Sequence, residues 1–394
     1  MDKQGRLRRL LEIGVVSLRL GFTSFGGPIA HLGYFHEEYI RRRKWLDERG
    51  YAELVALCQF LPGPASSQVG IGIGVIRAGL LGGIVAWLGF TLPSVIALVL
   101  FAMLLQGFDM GNAGWIHGLK IVAVAIVAQA VLGMGQKLTP DPSRATLAIL
   151  VMMMTLLWQT AFSQVIFIIT AGLIGLFIYR KKEVEVASDL HVPVSRVAAI
   201  MCLSIFVGLL FALPFLRQFT DNHWIAIMDS FYRSGSLVFG GGHVVLPLLE
   251  REVVPIGWVS SEDFLAGYGA TQAVPGPLFT FAGYLGAMYR GVAGAVVATV
   301  AIFLPAFLLV IGTLPFWNSL RRSPKMQAAL TGVNAAVVGI LLAALYNPIW
   351  ISAILSPVDF VLAVILFGML LFWKLPSWIV VVAGMIGGTI IHYA

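Results

Sequence analysis

Charge is what this chain lacks most. Asp, Glu, Lys and Arg together make up 11% of its 394 residues, against roughly 25% in an ordinary soluble domain. Polar stretches of any length are equally scarce, Lys181 to Pro193 being the exception. Hydrophobic residues fill 59% of the positions, and the mean hydropathy is +0.90. A soluble globule of this size has too little interior to hide so much apolar surface, which excludes a soluble fold. Cysteine is nearly absent too. Cys58 and Cys202 both lie in apolar segments, so a disulfide framework and a cysteine metal site are excluded and packing is left as their part.

Catalytic groupings are also missing. There is no His-Glu-x-x-His, and His36-Glu37-Glu38 has no second histidine at ligand spacing. Ser66 and Ser67 have no histidine near them in sequence and are expected to cap a helix instead of acting as nucleophiles. No enzyme activity, metal or cofactor is expected.

What the chain does contain is a succession of apolar runs long enough to cross a bilayer, which takes about 20 residues each. The 26 basic residues against 19 acidic ones give a net charge of +7. They cluster in short loops beside the apolar runs, as membrane topology requires, so nucleic acid is not an expected partner. Lys3, Arg6, Arg8 and Arg9 precede the first run with no small-residue cleavage site behind it. This reads as a retained first segment with the N-terminus in the cytoplasm.

The two halves repeat each other. Phe25-Gly26-Gly27-Pro28 reappears as Phe239-Gly240-Gly241-Gly242, Trp45 as Trp258, and Gln59 with Pro62-Gly63-Pro64 as Gln272 with Pro275-Gly276-Pro277. The register continues through Arg77 and Arg290, Pro93 and Pro305, and Gly118-Leu119-Lys120 against Gly332-Val333-Asn334. Each half reads as six apolar segments: 10–36, 51–76, 79–106, 114–136, 144–158 and 162–180, then 223–248, 262–288, 290–316, 327–346, 352–373 and 376–393. An unpaired segment, 196–216, lies between them. The domain reading is an N-terminal repeat over 1–182, a linker with the unpaired helix over 183–217, and a C-terminal repeat over 218–394.

Six segments plus one is odd, so the second half is expected to enter the membrane from the opposite side. The loop charges agree. Lys137 with Arg144, Arg180-Lys181-Lys182, Arg321-Arg322 with Lys325, and Lys374 fall on the cytoplasmic face. The opposing loops near Asp109, Trp158 to Ala161 and Asn347 to Ile351 carry no basic residue. The C-terminus is therefore expected outside. Arg41-Arg42-Arg43-Lys44 fits either full crossings with a snorkelling basic cluster or re-entrant hairpins. The two alternatives bracket the count at about nine to thirteen crossings.

Glycine and proline interrupt the first two segments of each half at matching places. A broken helix strands backbone N–H and C=O groups that hydrocarbon cannot satisfy, so such breaks belong inside protein or against a cavity. A new half-helix beginning at a break offers unpaired N–H donors and a partial positive charge, which makes an anion site without a charged side chain. Pro28, Pro64 and Pro277 suit the first turn of such half-helices. The alternative for each break taken alone is close helix packing or a kink. The expected fold is thus an all-α polytopic membrane protein of two inverted-topology repeats, with discontinuous helices, broken or re-entrant, around a central cavity.

These residues carry a resemblance to the chromate ion transporters in their two-domain form. The family has a Phe-Gly-Gly-Pro near its start and a Gln followed by Pro-Gly-Pro in each domain. Here Phe25-Gly26-Gly27-Pro28-Ile29-Ala30-His31, Arg43-Lys44-Trp45-Leu46 and Gln59-Phe60-Leu61-Pro62-Gly63-Pro64 match. Phe239-Gly240-Gly241-Gly242-His243 and Gln272-Ala273-Val274-Pro275-Gly276-Pro277 match in the second half. The resemblance implies a secondary transporter in the bacterial inner membrane that exports chromate, driven by the proton motive force, and confers chromate resistance. Sulfate has the same shape and charge and stays open as substrate, as does an anion channel. A homodimer is also left open.

Beyond the backbone of the breaks, His31, His243, Gln59 and Gln272 are candidate donors to the oxyanion, with packing or cross-helix hydrogen bonds as the alternative. Arg19, Arg77, Lys120, Arg233 and Arg290 are candidates for gating or electrostatic attraction, with snorkelling and helix-end roles as the alternative. Glu37, Glu38, Glu53 and Glu252 are candidate proton carriers or ion-pair partners. Gly242 replaces Pro28 and Asn334 replaces Lys120 in the second half, so the half-sites are not chemically equal.

Overall fold

A computed structural model describes residues 3–108, 113–158, 163–179, 194–239, 242–317, 320 and 323–393. The expected Lys181–Pro193 linker and Gly240 and Gly241 lie outside the described residues. All regular structure among the described residues is helical. The helices are α1 (Lys3–Thr23), α2 (Gly27–Phe35), α3 (Glu48–Phe60), α4 (Ala65–Ala78), α5 (Leu80–Phe108), α6 (Gly114–Leu138), α7 (Pro142–Leu157), α8 (Ser163–Ile178) and α9 (Arg196–Gln218). The second half contributes α10 (His223–Leu237), α11 (Val245–Val253), α12 (Ser261–Thr271), α13 (Phe281–Thr313), α14 (Pro324–Ala344), α15 (Pro357–Leu371) and α16 (Ser377–Tyr393).

The broken segments are hairpins. Arg43, which follows α2 and its π-helical extension, reaches back to Glu12 of α1 at 3.0 Å. Arg77 at the end of α4 also reaches Glu12, at 2.6 Å, and lies 4.3 Å from the ring of Trp45, just ahead of α3. Both pairs of limbs therefore begin and end at one level. The second half does the same. Glu252 at the end of α11 meets Arg233 of α10 at 3.0 Å, and Trp258 before α12 stacks on Tyr289 at 4.5 Å. Directly after Tyr289 the helix α13 is kinked at Arg290 and Gly291 (φ +64°), the place where Gly79 (φ +72°) separates α4 from α5. The four interrupted segments turn back on themselves, the shape that the re-entrant alternative expects.

Among the described residues, five helices are long and apolar enough to cross a membrane, and α7, α8, α15 and α16 are shorter apolar ones. With the hairpins removed from the count, these nine (five plus four) are the lower end of the expected range. The fold is that of an all-α polytopic membrane protein. Its lipid-facing surface keeps large apolar side chains exposed, such as Leu100, Ile169, Phe211 and Val364, as a bilayer permits and water does not.

The halves are interleaved. α7 and α8 pack on α14, whereas α15 and α16 pack on α6, so each half's last two helices lie on the other half's fourth segment. Small residues one turn apart make this approach possible. On α6 and α16, a side chain on Gly118 would meet the Gly384 carbonyl, and one on Gly388 would meet the backbone of Gly114 and Gly118. On α8 and α14, Gly175 faces Ala328 and Gly332 in the same way. α5 and α13 pack against each other.

Candidate functional site

The hairpin tips of the two halves dock crosswise. Gly63 N–H donates to the Val238 carbonyl at 2.6 Å, and Gly276 N–H donates to the Ser24 carbonyl at 2.8 Å. Each Pro-Gly-Pro tip thus satisfies part of its stranded backbone on the Phe-Gly-Gly tip of the other half, as buried breaks require. Gly26, Gly27, Gly63 and Gly276 all have φ between +78° and +116°, a range that only glycine enters at little cost. The Ser94 hydroxyl of α5 anchors the fourth tip by donating to the Pro275 carbonyl.

Side-chain caps are found at seven helices that start away from the tips, though not at α6, and at none of those that start at the tips. Asp47, Asp141, Ser195, Asn222, Ser260, Ser323 and Ser356 each accept a hydrogen bond at the start of α3, α7, α9, α10, α12, α14 and α15. No side chain caps α2, α4, α11 or the 3-10 turn Leu278–Thr280 that leads into α13. Their first N–H groups stay available to a ligand. Ser66, expected as a cap, instead lies 3.2 Å from His31 Nδ1, and the position ahead of α4 belongs to Pro64.

Two adjoining cavities meet at these tips. One, of about 180 Å³, is lined by Gly26, Gly27, Pro28, His243, Gln272 and Gly276, with Gln129, Thr271 and Ser377 among the remaining walls. The other, of about 290 Å³, shares Gly26 to Pro28 and His243 and continues along α6 past Gly133 and Met134 to Lys137. It forms a vestibule with an ammonium group near its end. No carboxylate lines either cavity among the described residues.

Side chains that match in sequence do not match in place. Gln272 is 7% exposed and its side-chain Nε2 has no protein partner, while its backbone carbonyl accepts from the Ser377 hydroxyl at 3.1 Å. Gln59 is exposed, and Gln68 is the buried amide beside the first half's Pro-Gly-Pro break, donating to the Pro62 carbonyl at 2.7 Å. His243 lines both cavities with Nδ1 2.7 Å from the Tyr268 hydroxyl. His31 is buried against Ser66 and the edge of Phe90. Pro62, Gly63 and Pro64 bond to Val238 and Gln68 and line neither cavity; Pro275 and Pro277 shape the fourth tip from behind.

The basic candidates lie outside the two cavities. Arg19 is exposed, and Arg77 is taken up by Glu12 and Trp45. Arg290 lies over Tyr289 at 5.0 Å, and Lys120, 6% exposed, pairs with Glu262 at 3.6 Å. Arg233 is held between Asp229 and Glu252. Among the proton-carrier candidates, Glu53 accepts from Trp317 and Glu37 from Arg42. Gln129, Thr271, Ser377, Ser94 and Tyr268 were not legible as site residues, because none carries a break motif or a charge.

Comparison with known proteins decides the family. The chromate transporter profile matches twice, over residues 11–176 and 225–389. The chain belongs to the chromate transporter family. Its relatives include the chromate transport protein of Pseudomonas aeruginosa, 29% identical over 82% of this chain and 77% of the relative. The probable chromate transport protein of Synechococcus elongatus is 28% identical over 82% and 80%. The chromate transport protein of Cupriavidus metallidurans is 26% identical over 95% and 91%. No solved structure matches. Membership supports a transmembrane chromate transport role.

Proposed function

We propose that the protein is a secondary active transporter that exports chromate from the cytoplasm across the inner membrane, coupled to the proton motive force, and so confers chromate resistance. The observation that carries this reading is the cavity at the hairpin tips: uncapped helix starts, the free amide of Gln272, His243 and, among the described residues, no carboxylate. A tetrahedral dianion accepts hydrogen bonds in every direction and is repelled by carboxylates, so this donor-rich wall suits it.

In this reading the repeats over 1–182 and 218–394 have opposite topology, and the tips meet near the bilayer centre. The vestibule ending at Lys137 opens toward the cytoplasm, a reading that the basic residues of the loops support. The N-terminus is then cytoplasmic and the C-terminus periplasmic. Movement of one pair of hairpins past the other closes the vestibule and opens the opposite side. Export also has the right electrical sign. A dianion leaving an inside-negative cell gains about 4.6 kcal/mol per 100 mV, twice the value for one charge.

Uptake of radiolabelled chromate and sulfate into everted vesicles, with and without a proton gradient, tests the reading. Gradient-driven chromate accumulation that falls in Gln272→Leu supports it. Accumulation of sulfate, with chromate only competing, moves the substrate to sulfate. Flux of neither anion overturns it.

A further inference from the structure

A third cavity, of about 420 Å³, lies at the base of the α10–α11 hairpin and is lined by Arg217, Asp229, Arg233, Arg251 and Glu252. It is at the opposite end of the molecule from the vestibule. Arg217 lies 5.9 Å from the Trp258 ring, Trp258 leads into α12, and Glu262 near the start of α12 pairs with Lys120. Lys120 and Lys137 of the vestibule stand about 26 Å apart along α6.

The charges in this cavity are tightly arranged. Arg233 meets Glu252 at 3.0 Å and Asp229 at 2.8 Å, and Arg217 meets Asp229 at 3.0 Å and Glu252 at 3.9 Å. The Asp229 side chain is 2% exposed and its Oδ1 has no protein partner. Arg251 bonds to the Thr155 carbonyl and the Ser163 hydroxyl of the α7–α8 connection. The charged groups facing Glu252 are thus Arg217 from α9, Asp229 and Arg233 from α10, and Arg251 from α11; α8 contributes the uncharged Gln164 to an adjoining pocket. Intramembrane ion pairs are costly and mark functional sites in transporters.

Glu38 is the sequence counterpart of Glu252, and its guanidinium partners tell the two apart. Glu38 pairs with Arg42 and Arg43, four and five residues further along the chain. Glu252 pairs with residues on α10 and α9. Loss of charge on Glu38 breaks local bonds, whereas loss of charge on Glu252 releases the tie between the two limbs of a hairpin whose tip carries His243. Both limbs lead directly to the oxyanion cavity.

We propose that Glu252 is the residue that takes up the coupling proton from the outer face. This rests on the reading of the protein as a proton-coupled oxyanion transporter. One proton from water in the outer cavity converts the Glu252 carboxylate to the acid, Arg233 loses that partner, and the α10–α11 hairpin is freed to move. Once the hairpin has moved, the acid gives the proton up to water, and the carboxylate then returns to its pair with Arg233.

The test uses the full-length protein in liposomes, with chromate counterflow and pH-gradient-driven chromate accumulation measured side by side. Glu252→Gln is expected to keep counterflow within about threefold of wild type and to lose gradient-driven accumulation by at least about tenfold. Glu252→Asp restores coupling, and Glu38→Gln leaves it in place. Gradient-driven accumulation that survives in Glu252→Gln overturns the proposal. So does loss of both activities in Glu252→Gln with coupling unrestored in Glu252→Asp, since Glu252 would then serve the fold. Wild-type protein without flux of chromate or sulfate overturns the transport reading itself, a result separable from the others.

Discussion

Gly276 has no room for a side chain because Ser94 occupies the space where one would go. The Ser94 hydroxyl and, at 3.2 Å, the Phe90 carbonyl stand against a Cβ built on Gly276, whose φ is +96°. The fourth hairpin tip of one half is thereby seated on a helix of the other, next to the proline that both halves place in that helix. Gly63 also has a residue of the other half beside it, Ala306, but the space for its side chain is filled by Gln68 of its own half. Seating the tips on opposite halves ties any motion of a hairpin to the whole molecule.

Gly276→Ala should therefore cost more than backbone strain alone. Gly291 has a comparable φ of +64° but nothing within 4 Å of its built Cβ. Strain of this kind costs about 1–3 kcal/mol at either site, and Gly276→Ala adds the collision with Ser94. Thermal denaturation in detergent is expected to rank Gly276→Ala well below Gly291→Ala. Equal midpoints would remove the case for crosswise seating.

The two repeat-related glutamines should behave differently. Gln272→Leu removes a buried amide that faces the cavity. A hydrogen bond to a charged ligand is worth about 1.5–3 kcal/mol, so transport at low substrate should fall roughly 10- to 100-fold. Gln59→Leu, at an exposed position, should leave it within about twofold. Comparable losses in both would show that the cavity at the fourth tip is not the substrate site.

A similar contrast holds for the histidines. His243→Ala should raise the chromate concentration needed for half-maximal transport, and Tyr268→Phe should do so more weakly by loosening the ring that His243 leans on. His31→Ala should lower thermal stability by about 2 kcal/mol through the space it leaves beside Phe90, with little change in apparent affinity. Transport kinetics and melting midpoints on the same preparations separate the two roles.

Gly118→Leu tests the interleaving. The Gly384 carbonyl stands where the new side chain would go, so α6 and α16 must part. The expected outcome is loss of monodisperse protein on gel filtration, while Gly133→Leu on the same helix, with open space around its Cβ, stays folded.

Single cysteines in a background lacking Cys58 and Cys202 test the topology. Lys44→Cys and Lys374→Cys should react with a membrane-impermeant maleimide only from the cytoplasmic face. Asp221→Cys should react only from the outside. Lys44→Cys reacting from outside would contradict the first hairpin.

Much of this architecture was legible in advance. The third segment, expected over 79–106, is α5 at Leu80–Phe108, and the fourth, expected over 114–136, is α6 at Gly114–Leu138. The break positions were legible because glycine and proline act on the backbone locally: Gly26 and Gly27 interrupt their segment wherever their neighbours lie. Gly118 and Gly332 were legible only as matching landmarks of the two halves; that both permit close helix approach is seen in the packing.

The direction of the chain after each break was not legible. Gly26 permits a reversal or a continued crossing, and only the Arg43–Glu12 and Arg233–Glu252 pairs decide for reversal. Nor did the motif around Gln59 and Gln272 tell which amide is buried, because burial depends on helices far away in sequence, such as α16 with Ser377. The sequence by itself determined a membrane protein of two related halves with interrupted helices, through composition and local backbone chemistry. The tertiary structure alone decided that the interruptions are hairpins seated crosswise and that one cavity gathers Gly26, His243 and Gln272. Contacts between remote segments are set by packing complementarity, which no local pattern encodes.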